Sequence, residues 1–241
     1  MKLRDILAAI CLLPVMACGQ AEVPAPASPA KPQNVRSTDF ALLPCADREL
    51  PGKCVIVLAG GKRVMFGAPA GVTLGLTPKE LRDTEAVMLL SLRGEDVEGL
   101  DEVRNAAWRA GHEGSLPVAG PTGTGDFVGI LNRAYEVSDA LIYVEVEPAG
   151  GFDAALLAVL PGDGEQTAIV YDTGDLRIRK FESGTDRAAY AVDYNGHSVV
   201  IASCGAELEE AQLTEADQVL SCESVWPQTG PVFIFQDDPA G

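Results

Sequence analysis

The feature that most restricts the fold of this chain is a pair of hairpin signals enclosing helical sequence. "CVIVLAGGKRVMF" places two apolar runs on either side of Gly60-Gly61. "AAYAVDYNGHSVVIAS" does the same around Asn195-Gly196, a dipeptide suited to a type I′ turn because both central residues take positive φ. Between the hairpins, three stretches carry helical spacing. "TPKELRDTEAVMLL" opens with Thr77 as a cap and Pro78 at the first helical position, then runs into an apolar strand. "DEVRNAAWRAG" spaces Val103, Ala106, Ala107 and Ala110 for a helix that stops at Gly111, and "TGTGDFVGILNRAYEV" puts Phe127, Ile130, Leu131 and Ala134 on one face. The order β-β-α-β-α-β-α, followed by a meander of strands, predicts a layered α/β domain. There is no internal repeat at a fixed short period.

The first residues point to export. Lys2 and Arg4 precede an apolar run from Ile6 to Met16, far too short to span a bilayer. Residues 1–17 are therefore expected to be a secretory signal peptide. Ala17 directly before Cys18 resembles the lipobox of bacterial lipoproteins, so Cys18 is the expected site of lipidation, with ordinary cleavage nearby and a free Cys18 as the other outcome. Gly19, not an Asp, leans towards the outer membrane. The expected location is the bacterial cell envelope, lipid-anchored and facing the periplasm. Residues 18–38 contain "AEVPAPASPAKPQNV", a Pro/Ala-rich tether with nothing to bury. The folded domain is expected over 39–236, with a tail at 237–241.

Charge excludes one class of partner. The chain has a formal net charge of −17, and loss of Lys2, Arg4 and Asp5 with the signal takes it to −18. Phosphate backbones repel such a surface, so no nucleic acid is expected. Setting aside Cys11 in the signal and Cys18, four cysteines remain: Cys45, Cys54, Cys204 and Cys222. Four cysteines allow three connectivities. The local pairs Cys45–Cys54 and Cys204–Cys222 are favoured because each closes a short loop. A metal site competes with this reading, against which no Cys-x-x-Cys occurs and neither histidine is near a cysteine.

From about Phe40 to Ser224 the order of features resembles the metallo-β-lactamase fold, in the ribonuclease Z and arylsulfatase-like branch. "VMFGAPAGV" resembles the family's hairpin ending in Phe-Asp-Ala-Gly. "LSLRGEDVEGL" lies where the family has Thr-His-x-His-x-Asp-His followed by an apolar residue and Gly-Leu. "LPVAGPTGTGDFVGILNRAY" is similar to a strand entering Gly-Pro-x-Gly-Thr and an Ala-Tyr helix, and "VYDTGDLRIRKFE" and "AAYAVDYNGHSVVIASCGAE" follow the closing strands. The resemblance implies an αβ/βα layered sandwich, C-terminally shortened. It also implies a zinc centre of imidazoles and carboxylates that activates water.

The ligand positions do not carry that chemistry. In the resemblance the two leading histidines fall on Ser91 and Arg93, the Asp on Glu95 and the last His on Asp96. The next His falls near Ser183 or Gly184, the bridging Asp on Cys204, the hairpin Asp on Gly67, and the final His beyond Gly241. Arg93 has no lone pair to offer a metal. It is expected to pair with Glu95 or Asp96 in the old cleft. Glu95, Asp96, Glu98 and Asp101 form an acidic cluster, read either as a weak cation or ligand site or as first-turn acids complementing a helix dipole. His112 and His197 fall on no ligand position and are expected to be exposed structural residues. "GPTGTG" lacks the Lys of a phosphate-binding loop and is read as a strand-to-helix turn, with Asp126 opposing any anion. Trp108 and Trp226 are read as packing residues.

The expected protein is a lipid-anchored, non-catalytic envelope pseudoenzyme with a binding or scaffold role, no catalytic residues and no cofactor. Its partners would be the membrane, through the lipid, and an unidentified protein or small-molecule ligand. Two alternatives stand beside it. One is a metal-dependent hydrolase, phosphodiesterase/ribonuclease Z-like or arylsulfatase-like, with a rebuilt zinc site. The other is a purely structural envelope component.

Overall fold

The structure is a computed structural model that describes residues 35–236, so the signal peptide, Cys18 and the 237–241 tail lie outside the described residues. The strands are β1 (Phe40–Pro44), β2 (Val55–Ala59), β3 (Lys62–Phe66), β4 (Thr84–Met88), β5 (Leu116–Ala119), β6 (Leu157–Val159), β7 (Thr167–Asp172), β8 (Leu176–Ser183), β9 (Arg187–Tyr194), β10 (His197–Ala202), β11 (Gln218–Leu220) and β12 (Val232–Phe235). The helices are α1 (Pro78–Arg82), α2 (Gly94–Val97), α3 (Leu100–Arg109), α4 (Thr124–Val146) and α5 (Glu210–Thr214).

Period-two alternation sorts each strand's side chains onto two faces, and that sorting builds the layers. A seven-stranded sheet runs β12-β1-β2-β3-β4-β5-β6 and a five-stranded sheet runs β11-β10-β9-β8-β7. Phe40, Leu42, Val57, Phe66 and Met88 from the first sheet meet Ile178, Tyr190, Val192 and Ile201 from the second in one core. Phe66 and Tyr190 pack edge to face at 5.5 Å, and the Tyr190 hydroxyl donates to the Leu89 carbonyl at 2.7 Å. The opposite face of the first sheet, with Ile56, Met65, Val87 and Leu89, packs on Leu100 and Val103 of α3 and Val128 of α4. On the outer face of the second sheet the five-residue α5 lies across a groove lined by Arg179, Phe181, Ser198 and Gln212. This is the expected α/β sandwich, with its second helical layer reduced to that single short helix among the described residues.

Both hairpin turns form as their dipeptides require. Gly60 and Gly61 have φ of 57° and 72°, and Asn195 and Gly196 have 50° and 81°. The Thr77 hydroxyl accepts from the Glu80 amide while Glu80 bonds the Thr77 amide, a reciprocal cap with Pro78 at the first position. Both expected disulfides are present, Cys45–Cys54 and Cys204–Cys222, with Cα separations of 5.8 and 4.6 Å. By restricting the unfolded chain each contributes about 3 kcal/mol in the loop-entropy account.

Three elements differ from expectation. Strands β1 and β12 carry no hairpin signal in the sequence, and they pair antiparallel, closing the first sheet with sequence nearly two hundred residues apart. Helix α4 runs to Val146, about ten residues beyond the expected end. Its buried face also differs. Phe127 and Leu131 are half-buried as expected, but Ile130 and Ala134 face solvent, and the inward side from Asn132 onward is polar apart from Ile142, which packs on Trp108. Asn132 bonds both the amide and the carbonyl of Leu157 at 3.0 Å, and the Tyr135 hydroxyl donates to Asp101 at 2.6 Å. Arg104 of α3 and Asp139 of α4 form a bidentate pair at 2.6 and 3.2 Å with both side chains 0% exposed. Specific polar partners, invisible to a count of apolar spacing, set the rotation of this helix.

Candidate functional site

The candidate site lies where the carboxyl ends of parallel strands β3 and β4 meet the ends of β8 and β10 from the other sheet. Ligand crevices form in this position in α/β sheets because loops alone occupy it. After β4 the chain passes through Ser91, which bridges to Arg187 at the start of β9, and then turns into α2. The Ser91 hydroxyl donates to a carboxylate oxygen of Asp96 at 2.5 Å and accepts from the Arg93 amide at 3.1 Å. Asp96 is buried. Desolvation pushes its carboxyl above the usual range, helped by the Glu95 charge and opposed by the Ser91 hydroxyl and the guanidinium groups of Arg93 and Arg187.

A loop closed by Cys45–Cys54 packs over this turn. Gly52 sits so close that a Cβ there would lie 1.9 Å from the Glu95 carbonyl oxygen. Between loop and turn is a cleft of about 270 Å³ whose walls include Arg48, Lys53, Glu95, Asp96, Cys204 and Trp226. The Lys53 ammonium lies 5.8 Å from the centre of the Trp226 ring, a cation–π contact. Trp226 is nearly buried and its indole N–H donates to the Ser221 carbonyl at 2.7 Å, so it is held rigidly as a wall of the cleft. Trp108 is fully buried and donates to the Gly151 carbonyl, a packing residue as expected.

The structure brings Glu95, Asp96 and Cys204 to one cleft, with Ser91 held against Asp96, and turns Arg93 away. Arg93 turns outward to Asp186 at 2.8 Å, correcting the expected pairing with Glu95 or Asp96. The reason is competition: Ser91 already occupies Asp96, whereas Asp186 stands half-exposed on the turn before β9. The acidic cluster is dispersed. Glu95 and Glu98 face solvent, Asp96 faces inward, and Asp101 accepts from Tyr135. Among the described residues no three His, Cys, Asp or Glu side chains are grouped so as to hold a metal ion. Ser183 accepts from the Glu207 amide at 2.7 Å. His112 and His197 are half-buried, not exposed. His112 Nδ1 lies 2.9 Å from the Arg82 carbonyl, and His197 pairs with Asp217 and stacks on Phe235.

Three positions test whether the donors present fit the zinc centre that the fold implies, and they do not. Cys204 is consumed in a disulfide, and Ser91 is hydrogen-bonded to the carboxylate beside it. Gly67 has φ of 78°, and a Cβ there would lie 2.1 Å from the Lys53 carbonyl oxygen. No carboxylate side chain fits at that position. The glycine turn at residues 120–123 is also internally satisfied: Asp163 accepts from the amides of Gly123 and Gly125 at 3.0 and 2.9 Å. An anion already caps α4, and it belongs to the chain.

Arg48, Lys53 and Arg187 were not singled out in the sequence. The Cys45–Cys54 spacing marks the loop that carries the first two. Nothing local marks Arg187, which reaches the site only through sheet pairing.

Asp96 carries a pH signature. An acid whose folded pKa is raised contributes stability that is full below its ordinary range and is lost as pH rises through the raised value. Asp96→Asn keeps an acceptor for Ser91 and removes the charge. The expected result is that the stability of Asp96→Asn relative to wild type increases as pH rises above about 4, measured by urea unfolding across a pH series. A difference that does not change with pH would contradict the assignment.

No family model and no curated protein matches the chain. Solved structures do. Human tRNase Z, short form, matches at a TM-score of 0.53 and 14% identity, over 74% of this chain and 76% of that one. A diphosphatase from the PhnP family matches at 0.51 and 11% identity, over 75% and 72%. The metallo-β-lactamase fold protein YhfI from Bacillus subtilis matches at 0.47 and 14% identity, over 75% and 70%. At these identities the likeness carries the fold alone. With its two facing sheets and the helices α3 and α4 packed on the first, the protein shares the fold of human tRNase Z and the PhnP-family diphosphatase, the metallo-β-lactamase fold.

Proposed function

We propose that the protein is a non-catalytic member of this fold, exported and lipid-anchored in a bacterial envelope, whose old catalytic cleft serves binding. The observation that carries the reading is the donor set: an oxidised Cys204, a hydroxyl at Ser91 committed to Asp96, and an arginine at Arg93 paired elsewhere. Tetrahedral zinc needs four suitable donors, and Glu95 and Asp96 do not supply them. The cleft that remains offers a rigid indole wall and the cations Arg48 and Lys53 beside acids. It suits a small molecule or a side chain of a partner.

Metal analysis of the purified chain, together with assays of phosphodiester, sulfate-ester and β-lactam hydrolysis, tests this. The expected result is no stoichiometric zinc and no turnover, with Ser91→His/Arg93→His still inactive. Zinc or manganese at about one equivalent, with hydrolysis that a chelator abolishes and added metal restores, would establish the hydrolase reading instead. Glu95, Asp96 and Asp101 would then be the first residues to mutate.

Anchoring is checked separately. Metabolic labelling with a palmitate analogue is expected to mark the wild type and spare Cys18→Ser. A single acyl chain binds membranes only reversibly, at about 0.8 kcal/mol per buried methylene, so stable outer-membrane attachment requires more than one chain. Equal labelling of both proteins would end the lipoprotein reading.

A further inference from the structure

The polar inward side of α4 leaves its apolar residues on the outside. Ile130, Ala134, Val137, Leu141 and Val144 are all exposed, with Val137 at 74% and Val144 at 81%. Their spacing is 4-3-4-3. That is the alternation of a helix-packing seam, and it lies roughly opposite the buried Val128 and Asp139 and the half-buried Tyr135 and Ile142. The stripe exposes on the order of 600 Å² per chain, near the ~800 Å² that each partner of a standard interface buries, and larger than scattered apolar residues produce.

We infer that α4 is a self-association surface, and that its occupant is α4 of a second copy in antiparallel orientation about a two-fold axis. The sequence is self-complementary in that orientation. Setting Ala134 against Val137 of the partner subunit places Ile130 opposite Leu141 of the partner subunit and Val144 opposite the half-buried Phe127 of the partner subunit. In the same register Arg133 lies within one turn of Glu136 of the partner subunit, on the flank where two acidic chains otherwise repel. A lipid surface is a poorer occupant. Asp126, Glu136 and Glu145 flank the stripe, with Arg133 as the helix's one basic residue, whereas helices that lie on membranes carry a basic polar face. No helix among the described residues is long and apolar enough to cross a membrane.

The test is sedimentation equilibrium on the exported chain carrying Cys18→Ser, with Val137→Glu, Leu141→Glu, Arg133→Glu and Arg133→Glu/Glu136→Arg made in that background. The parent is expected to be a dimer. Either glutamate in the stripe is expected to raise its dissociation constant by about 100-fold or more, because each substitution places two carboxylates in a desolvated seam. Thermal unfolding should be unchanged in a monomeric reference state, since both positions are exposed. Arg133→Glu should weaken the dimer, and the charge-swapped double variant should restore it. A parent chain that stays monomeric at about 100 μM overturns the proposal, as does a dimer that survives both stripe variants. A monomer that co-floats with phosphatidylglycerol vesicles through this face overturns it in favour of a membrane-bound α4.

Discussion

Asp139→Ala is expected to destabilise the domain by about 3–5 kcal/mol, lowering its melting temperature by about 6–20 °C. The Arg104–Asp139 pair is fully excluded from water, and the same guanidinium also donates to the Ala155 carbonyl and lies 4.7 Å from the centre of the Tyr135 ring. Removing the carboxylate leaves a buried cation with one carbonyl for a partner. The pair itself contributes much less than this, because bringing both charges out of water offsets most of their attraction. Arg104→Met/Asp139→Leu is therefore expected to recover most of the loss, and urea unfolding of the single and double variants would measure it. A single variant within about 1 kcal/mol of wild type would show that α3 and α4 dock without this pair.

Lys180→Met is the second large effect, also about 3–5 kcal/mol. Lys180 projects from β8 towards the end of the core, where its ammonium donates to the carbonyls of Gly120 and Gly162 at 3.2 and 2.6 Å and to Glu182 at 2.6 Å. Three donors meet three acceptors, and Glu182 in turn accepts from the Thr122 amide at 3.2 Å. Lysine and glutamate side chains are each 1% exposed. Methionine fills the volume but leaves the Gly120 carbonyl without its donor, the Gly162 carbonyl with only the Glu165 amide, and the buried Glu182 carboxylate with only the Thr122 amide and no countercharge. Lys180→Met/Glu182→Gln should be more stable than Lys180→Met, because the remaining buried charge is gone. Hydrogen exchange at Thr122 and Gly123 should rise in Lys180→Met, since the clamp holds that turn to the second sheet. Unchanged exchange there would place the role of Lys180 in packing alone.

Both effects come from groups that no pattern in the chain singles out. Asp139 lies in a helix whose apolar residues advertise the other side, and Lys180 lies in a strand reading "LRIRKFE", where a lysine is ordinarily taken as solvated. The burial of Asp139 follows from Arg104, thirty-five residues away, and that of Lys180 from acceptors on Gly120, Gly162 and Glu182 that only the folded chain brings together. The same is true of Arg93, whose partner Asp186 is ninety-three residues on, and of the cleft, whose walls come from both ends of the domain.

What the sequence by itself determined is the set of features governed by neighbours along the chain. The Gly60-Gly61 and Asn195-Gly196 turns, the Thr77–Glu80 cap, the stop after Arg109 and the two short-loop disulfides are decided by positive φ, by hydrogen bonds within four residues and by loop closure. A layered α/β domain was legible too, because the order of strands and helices leaves few ways to cover two apolar sheet faces, while the αβ/βα sandwich itself followed from the family resemblance. Tertiary structure alone decided the rotation of α4, the pairing of β1 with β12, the direction of Arg93 and the closing of the Cys45–Cys54 loop over Asp96. The physical reason is that a buried charge or a close backbone approach is stable only beside a particular distant partner. Periodicity records which residues are apolar; it carries no record of which polar group each will meet.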